Sequence, residues 1–172
     1  MTDFIEVMDH DDRLRLGFED VLKYHGRHSI GGAAIGFKML QRAFELLSPD
    51  APPRRGQFRF LTAFPGPGAR DAVEFVTRAV TGGTYQVDLG CAPEDVPEAP
   101  KGRYYFHVGY ANGSVDLGIR PGLVRPDFVA LIRRKAAEGL TETEEARLVA
   151  LKREMADRLL PLPAAEVFAV LD

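Results

Sequence analysis

Residues 103–120 read Arg-Tyr-Tyr-Phe-His-Val-Gly-Tyr-Ala-Asn-Gly-Ser-Val-Asp-Leu-Gly-Ile-Arg. Two alternating runs, Arg103 to Tyr110 and Ser114 to Arg120, meet at Ala111-Asn112-Gly113. Asn-Gly between alternating strands is a strong hairpin signal, because both residues tolerate the positive φ that a tight turn requires. Side chains alternate across a strand, so Tyr104, Phe106, Val108 and Tyr110 share the face assigned to the core. Tyr105, His107 and Gly109 take the other face, where His107 could be exposed, packed under a helix, or lining a pocket.

Working upstream, Gln57 to Phe64 alternates as a strand, with Phe58, Phe60 and Thr62 opposed to Arg59, Leu61 and Ala63. Pro65-Gly66-Pro67-Gly68 supplies a turn. Ala69 to Thr81 then carries Val73, Val76, Ala79 and Val80 at helical spacing and closes at Gly82-Gly83, before a strand over 84–89. Two helices precede this unit, over 17–24 and 31–47, the second ended by Ser48-Pro49. Gly32 and Gly36 lie one turn apart on it, which predicts close packing against another backbone.

Downstream, a helix over 126–138 ends at Gly139. Another is opened by Thr141 with Glu144 three residues on, the pattern of a capping box. Its charged face reads as solvated, and its seam of Leu148, Leu151, Met155 and Leu159 covers either the core or a second copy of the chain. A short helix over 163–170 closes the sequence. Residues 1–16 read as an N-terminal extension and 123–172 as a C-terminal helical part. The mixture of elements without regular βαβ alternation predicts one α+β domain, with a mixed or antiparallel sheet of about four strands and five or six helices.

The composition narrows the function classes. In a chain of 172 residues, 45% are apolar and 27% charged, enough for a core without metal or disulfide staples. A net charge of −3 without long single-sign blocks argues against nucleic acid or an acidic membrane surface as the main partner. Cys91 is the only cysteine, which excludes an internal disulfide and suits a cytoplasmic setting. The acidic first twenty residues do not resemble a signal peptide, and no apolar run reaches the roughly 20 residues that span a bilayer. Cys91 has no basic neighbour in sequence and reads as a half-buried structural residue.

The densest polar cluster is Tyr24-His25-Gly26-Arg27-His28-Ser29-Ile30-Gly31-Gly32, in the joint between two predicted helices. Two imidazoles, Arg27 and an N-cap Ser29 could hold an anion there, since free N–H groups and the helix dipole point outward. On the plainer alternative Ser29 only caps, His25 satisfies a carbonyl and Arg27 lies in solvent. His25 and His28 also supply two ligands for a divalent metal ion, which would need a third from Asp71, Glu74 or His107. As a third chemistry, His25 or His28 could act as general acid/base with Asp71 as orienting partner. Gly66-Pro67-Gly68 has neither the spacing nor the ending of a phosphate loop, and reads as a turn feeding a helix with Asp71 in its first turn.

From about Gly17 onward the chain resembles the E-subunit domain of formylmethanofuran dehydrogenase. That family carries an aromatic-His-Gly-His-x-Cys-Pro-Gly run between two helices, where this chain has Tyr24-His25-Gly26-Arg27-His28-Ser29-Ile30-Gly31. The family's Asp-Ala-Ile/Val-Gln helix start is matched by Asp71-Ala72-Val73-Glu74, and the closing Leu-Pro-Ala-Ala-Glu-Val-Phe is similar to the family's tail. Arg27, Ser29 and Ala79 stand where the family has its second His and thiolates, so only His25 and Asp71 carry over from its metal or ligand site. The resemblance implies an α+β domain, frequent dimers and chemistry that resides on other chains of a larger complex. The expectation is therefore a homodimeric protein that binds a small-molecule or anionic ligand through His25, Arg27, His28, Ser29, Gly31, Asp71 and His107. A scaffold within a larger complex and an acid/base enzyme are the alternatives.

Overall fold

An apolar stripe this wide must be covered, and the helix carrying Ile35, Phe37, Met39 and Leu40, each 2% exposed or less, organises this fold. The computed structural model describes residues 4–172. In chain order the elements are β1 (Phe4–Asp9), β2 (Asp12–Gly17), α1 (Phe18–His25), α2 (Ile30–Leu47), β3 (Phe58–Thr62), α3 (Pro67–Thr77) and β4 (Tyr85–Val87). They continue as β5 (Tyr105–Tyr110), β6 (Gly113–Ile119), α4 (Pro126–Glu138), α5 (Glu142–Leu159), α6 (Ala164–Val167) and β7 (Phe168–Val170). The protein is thus an α+β arrangement of six helices with a five-stranded mixed sheet and a separate two-stranded antiparallel sheet among the described residues.

The larger sheet runs β4-β3-β5-β6-β7, with β3 and β4 parallel and every other pair antiparallel. The face bearing Phe58, Phe60, Tyr104, Phe106 and Val108 is buried, as the alternation predicts. α2 lies across it, flanked by α3 on one side and α5 on the other. Aromatic rings knit sheet to helix: Phe58 stacks on Phe44 of α2 at 4.9 Å and on Tyr110 of β5 at 4.7 Å. The small residues of α2 do what their spacing predicts. A Cβ on Gly36 would lie 2.8 Å from the Ala69 Cα, so α2 and α3 approach more closely there than any side chain allows.

Four expectations are corrected. Residues 4–16 are not an extension but most of the β1–β2 hairpin, which buries Ile5 and Val7 and turns through His10 and Asp11 with His10 at φ 55°. Arg55 fastens that hairpin to the end of α3, donating to Asp9 at 2.9 Å and to the carbonyl of Val76 at 3.1 Å. Second, α3 stops at Thr77 rather than Thr81, because Arg78 turns left-handed and the Glu74 carboxylate captures the N–H groups of Val80 and Thr81 at 2.8 and 3.0 Å. Third, the β5–β6 turn is Ala111-Asn112, one residue earlier than the Asn-Gly reading, with Gly113 paired to Tyr110 and the positive φ on Ala111. Fourth, the closing helix is one turn long, and Phe168–Val170 leave it to pair with the free edge of β6, where Phe168 packs edge-on to Phe106 at 5.9 Å. Strands in the β1–β2 hairpin and at β7 are why the count exceeds the expected four.

Candidate functional site

The α1–α2 joint divides into two environments. At the end of α1, His25 is 8% exposed in its side chain, and its Nδ1 lies 2.7 Å from Oδ2 of Asp71 on α3. Asp71 also accepts from Arg70 at 3.1 Å. It sits in the second turn of α3, not the first, because the helix begins at Pro67. The His25 Nε2 and the Tyr85 hydroxyl are buried without hydrogen-bond partners. Burial pushes the Tyr85 phenol up to about 12, with Arg70 acting downward and Asp71 upward.

The second environment is a cleft of about 300 Å³ on the other side of the joint, and neither His25 nor Asp71 lines it. Its polar rim is His28, Ser29, Lys101, Lys135 and Lys152, and its walls include Ile35, Phe64, Tyr104, Phe128, Leu148 and Met155. That size and make-up fall at the lower end of small-molecule sites. Two helices start on it: α2 after Ser29, and α3 after Gly66, with Gly66, Pro67 and Gly68 forming part of the wall. In α2 the first intrahelical bond runs from Ala33 N–H to Ser29 O at 3.0 Å, so the N–H groups of Ile30, Gly31 and Gly32 have no partner within the helix. Neither helix carries an acidic residue in its first turn, and no lining residue is acidic. Two helix starts and three lysine side chains therefore border one largely apolar hollow.

Within the cleft the lysines differ. Lys135 on α4 is paired with Glu145 at 2.8 Å. Lys152 on α5 donates to the His28 carbonyl, at 3.1 Å. Burial, and secondarily repulsion from Lys135, holds the Lys152 ammonium below the usual lysine range, with Glu145 opposing.

No known family model and no curated protein matches the chain.

Of the expected ligand-binding residues, the cleft gathers His28 and Ser29. Ser29 is the N-cap by position, yet its side chain makes no capping bond, which leaves its hydroxyl to the cleft. Gly31 instead lies against α5, where a Cβ would come within 2.9 Å of the Met155 sulfur. Arg27 points to solvent, paired with Glu19 at 2.8 Å and 64% exposed. His107 is on the far face of the sheet, held by Asp116 at 2.7 Å beside the Tyr105 hydroxyl, which donates to the same carboxylate at 2.8 Å. Metal ligation by His25 and His28 finds no third donor: among the described residues no group of three or more His, Cys, Asp or Glu is placed to hold an ion. The donor set does not fit the metal site that the formylmethanofuran dehydrogenase resemblance implies. The Cys91 thiol is pushed up by burial and by Asp88, which suits the inert role expected for it.

Sequence reasoning misses the lysines as site residues because Lys135 and Lys152 lie in charge-rich helices whose exposed faces look solvated. Only the packing of α4 and α5 over the start of α2 brings them to one place. Gly66-Pro67-Gly68 is a better clue, since it is a turn placed directly before a helix start, although its spacing matches no nucleotide motif.

Proposed function

We propose that this protein is a binding module whose cleft takes a small amphipathic anion, with a carboxylate or phosphate at the two helix starts and an apolar body against Phe64, Tyr104 and Phe128. The observation that carries the reading is the convergence of α2, α3, Lys101, Lys135 and Lys152 on a hollow that no acidic side chain lines. Anions at helix N-termini gain from unpaired N–H groups and from the dipole. Charge-assisted bonds to ammonium groups add strength when water is partly excluded. Phenyl phosphate is a suitable probe, titrated calorimetrically at low and moderate salt. The reading expects saturable 1:1 binding that weakens with salt and is lost in the Lys101→Ser/Lys135→Ser double variant. Heat that is absent, or unaltered in that variant, refutes it.

On this proposal the chain is a cytoplasmic, dimer-forming, non-catalytic relative of the E-subunit domain, built around an organic anion rather than a metal. Preserved Tyr24, His25, Gly26 and Asp71 support the kinship. A second reading has its own observation, the His25–Asp71 pair with a buried and unpartnered Nε2. An imidazole held by a carboxylate through one nitrogen and unpartnered at the other has the pairing of a general base, and its buried Nε2 would meet a substrate only through a local opening. Separate His25→Ala and His28→Ala proteins distinguish the two. Loss of phenyl phosphate binding in His28→Ala alone favours the cleft, and loss of a turnover activity in His25→Ala alone favours the enzyme.

A further inference from the structure

Lys152 is unlike the other cleft lysines. Its Nζ bonds to a backbone carbonyl, that of His28, and the carboxylate within reach, Glu145, is engaged by Lys135. It lines the cleft together with Ile35, Leu148 and Met155, and its bond to His28 sets it beside the start of α2. Burial and the neighbouring Lys135 cation disfavour its ammonium, with Glu145 opposing. A lysine so placed holds a larger share of neutral amine, the form that attacks carbonyl carbon.

We propose that Lys152 is a carbonyl-reactive residue, condensing with the aldehyde or keto group of an anionic ligand bound in the cleft. This rests on the anion-binding reading above. The amine lone pair adds to the carbonyl carbon to form a C–N bond, and the C=O π pair moves onto oxygen. A proton passes from nitrogen to that oxygen, giving a carbinolamine. The remaining nitrogen proton and the hydroxyl then leave as water, giving a neutral C=N bond that takes up a proton from solvent. No oxidant, reductant or further reactant enters the balance, and the ligand's own carboxylate or phosphate, held by Lys101, Lys135 and the two helix starts, places the carbonyl beside Nζ.

The test uses the full chain with pyridoxal 5′-phosphate, an aldehyde bearing a phosphate on an apolar ring, and cyanoborohydride to fix any imine as a secondary amine. Peptide mapping resolves the lysines of the chain, Lys23, Lys38, Lys101, Lys135 and Lys152. The expected result is labelling of Lys152 about ten-fold or more faster than the exposed Lys23. Excess pyridoxine 5′-phosphate, the corresponding alcohol, should suppress labelling at Lys152 but not at Lys23. Lys152→Arg, which keeps the charge but has no nucleophilic amine, should lose the fast phase. If Lys152 reacts no faster than Lys23 while pyridoxine 5′-phosphate binds, the imine proposal is overturned and the anion site stands. If neither molecule engages the cleft, both readings fall.

Discussion

Replacing Gly36 and Gly32 by alanine, one at a time, should move stability in opposite directions. Both glycines lie in α2, where Gly→Ala ordinarily gains about 1 kcal/mol of helix propensity. At Gly36 the new Cβ would stand 2.8 Å from the Ala69 Cα, 2.9 Å from the Ala72 Cβ and 3.0 Å from the Ala69 carbonyl oxygen. None of these atoms can rotate away, so α2 and α3 must separate. Overpacking of this kind costs about 1–3 kcal/mol, leaving a net loss of up to about 2 kcal/mol after the propensity gain. At Gly32 the nearest atoms, the Gly68 Cα and N, are 3.5 and 3.6 Å away, ordinary contact distances, so the propensity gain survives. For a domain of this size about 1 kcal/mol moves Tm by about 2–4 °C. Gly36→Ala should therefore lower Tm by up to about 8 °C, and Gly32→Ala should raise it by up to about 4 °C. Scanning calorimetry supplies the measurement, with urea unfolding at unchanged m-value as a check that the unfolding transition is the same one. Shifts of the same sign in the two variants refute the packing argument.

Three further outcomes follow from single interactions. Thr141 accepts from the Glu144 N–H at 3.3 Å in the α5 capping box, and Thr141→Ala should lose about 0.5–2 kcal/mol in urea unfolding. Burial acts to raise the Glu74 carboxyl, but hydrogen bonds from the Thr81 side chain and from the Thr81 and Val80 backbones, with Arg78 nearby, outweigh it and hold the group below the ordinary glutamate range. A depressed folded-state value means the stabilisation is complete above the ordinary glutamate range and lost as pH falls through the folded value. Glu74→Gln should thus flatten the acid limb of the Tm–pH curve, and an unaltered limb contradicts the assignment. A double-mutant cycle on His25→Ala and Asp71→Asn should give a coupling of about 0.5–3 kcal/mol, whereas additive losses show that the 2.7 Å contact is energetically idle.

Periodicity carries most of the architecture. The apolar stripe of α2, the alternation in β3 and β5, and the Thr141–Glu144 box are local patterns, and the fold uses them where they stand. Local sequence misleads where a long-range interaction overrules it. Val80 looks helical until the Glu74 carboxylate captures its N–H, and Phe168 looks helical until the open edge of β6 takes it. The β1–β2 hairpin is legible in Ile5 and Val7 alternating with Glu6, but its turn at Asp9-His10-Asp11-Asp12 lacks the glycine that usually announces one. For the site, the joint at Tyr24 to Gly32 is the right region. His25 meeting Asp71 across 46 residues follows no spacing rule, and Lys101, Lys135 and Lys152 come from three separate parts of the chain, so their convergence is a property of packing alone.

The claim on which the functional account turns is that an anion seats against the starts of α2 and α3. Backbone amide chemical shifts followed during titration with phenyl phosphate test it directly. The account predicts saturable shifts concentrated at Ile30, Gly31, Gly32, Gly68 and Ala69, all fitting one dissociation constant. Shifts scattered over the surface, or confined to residues around His107 and Asp116 on the opposite sheet face, would contradict it.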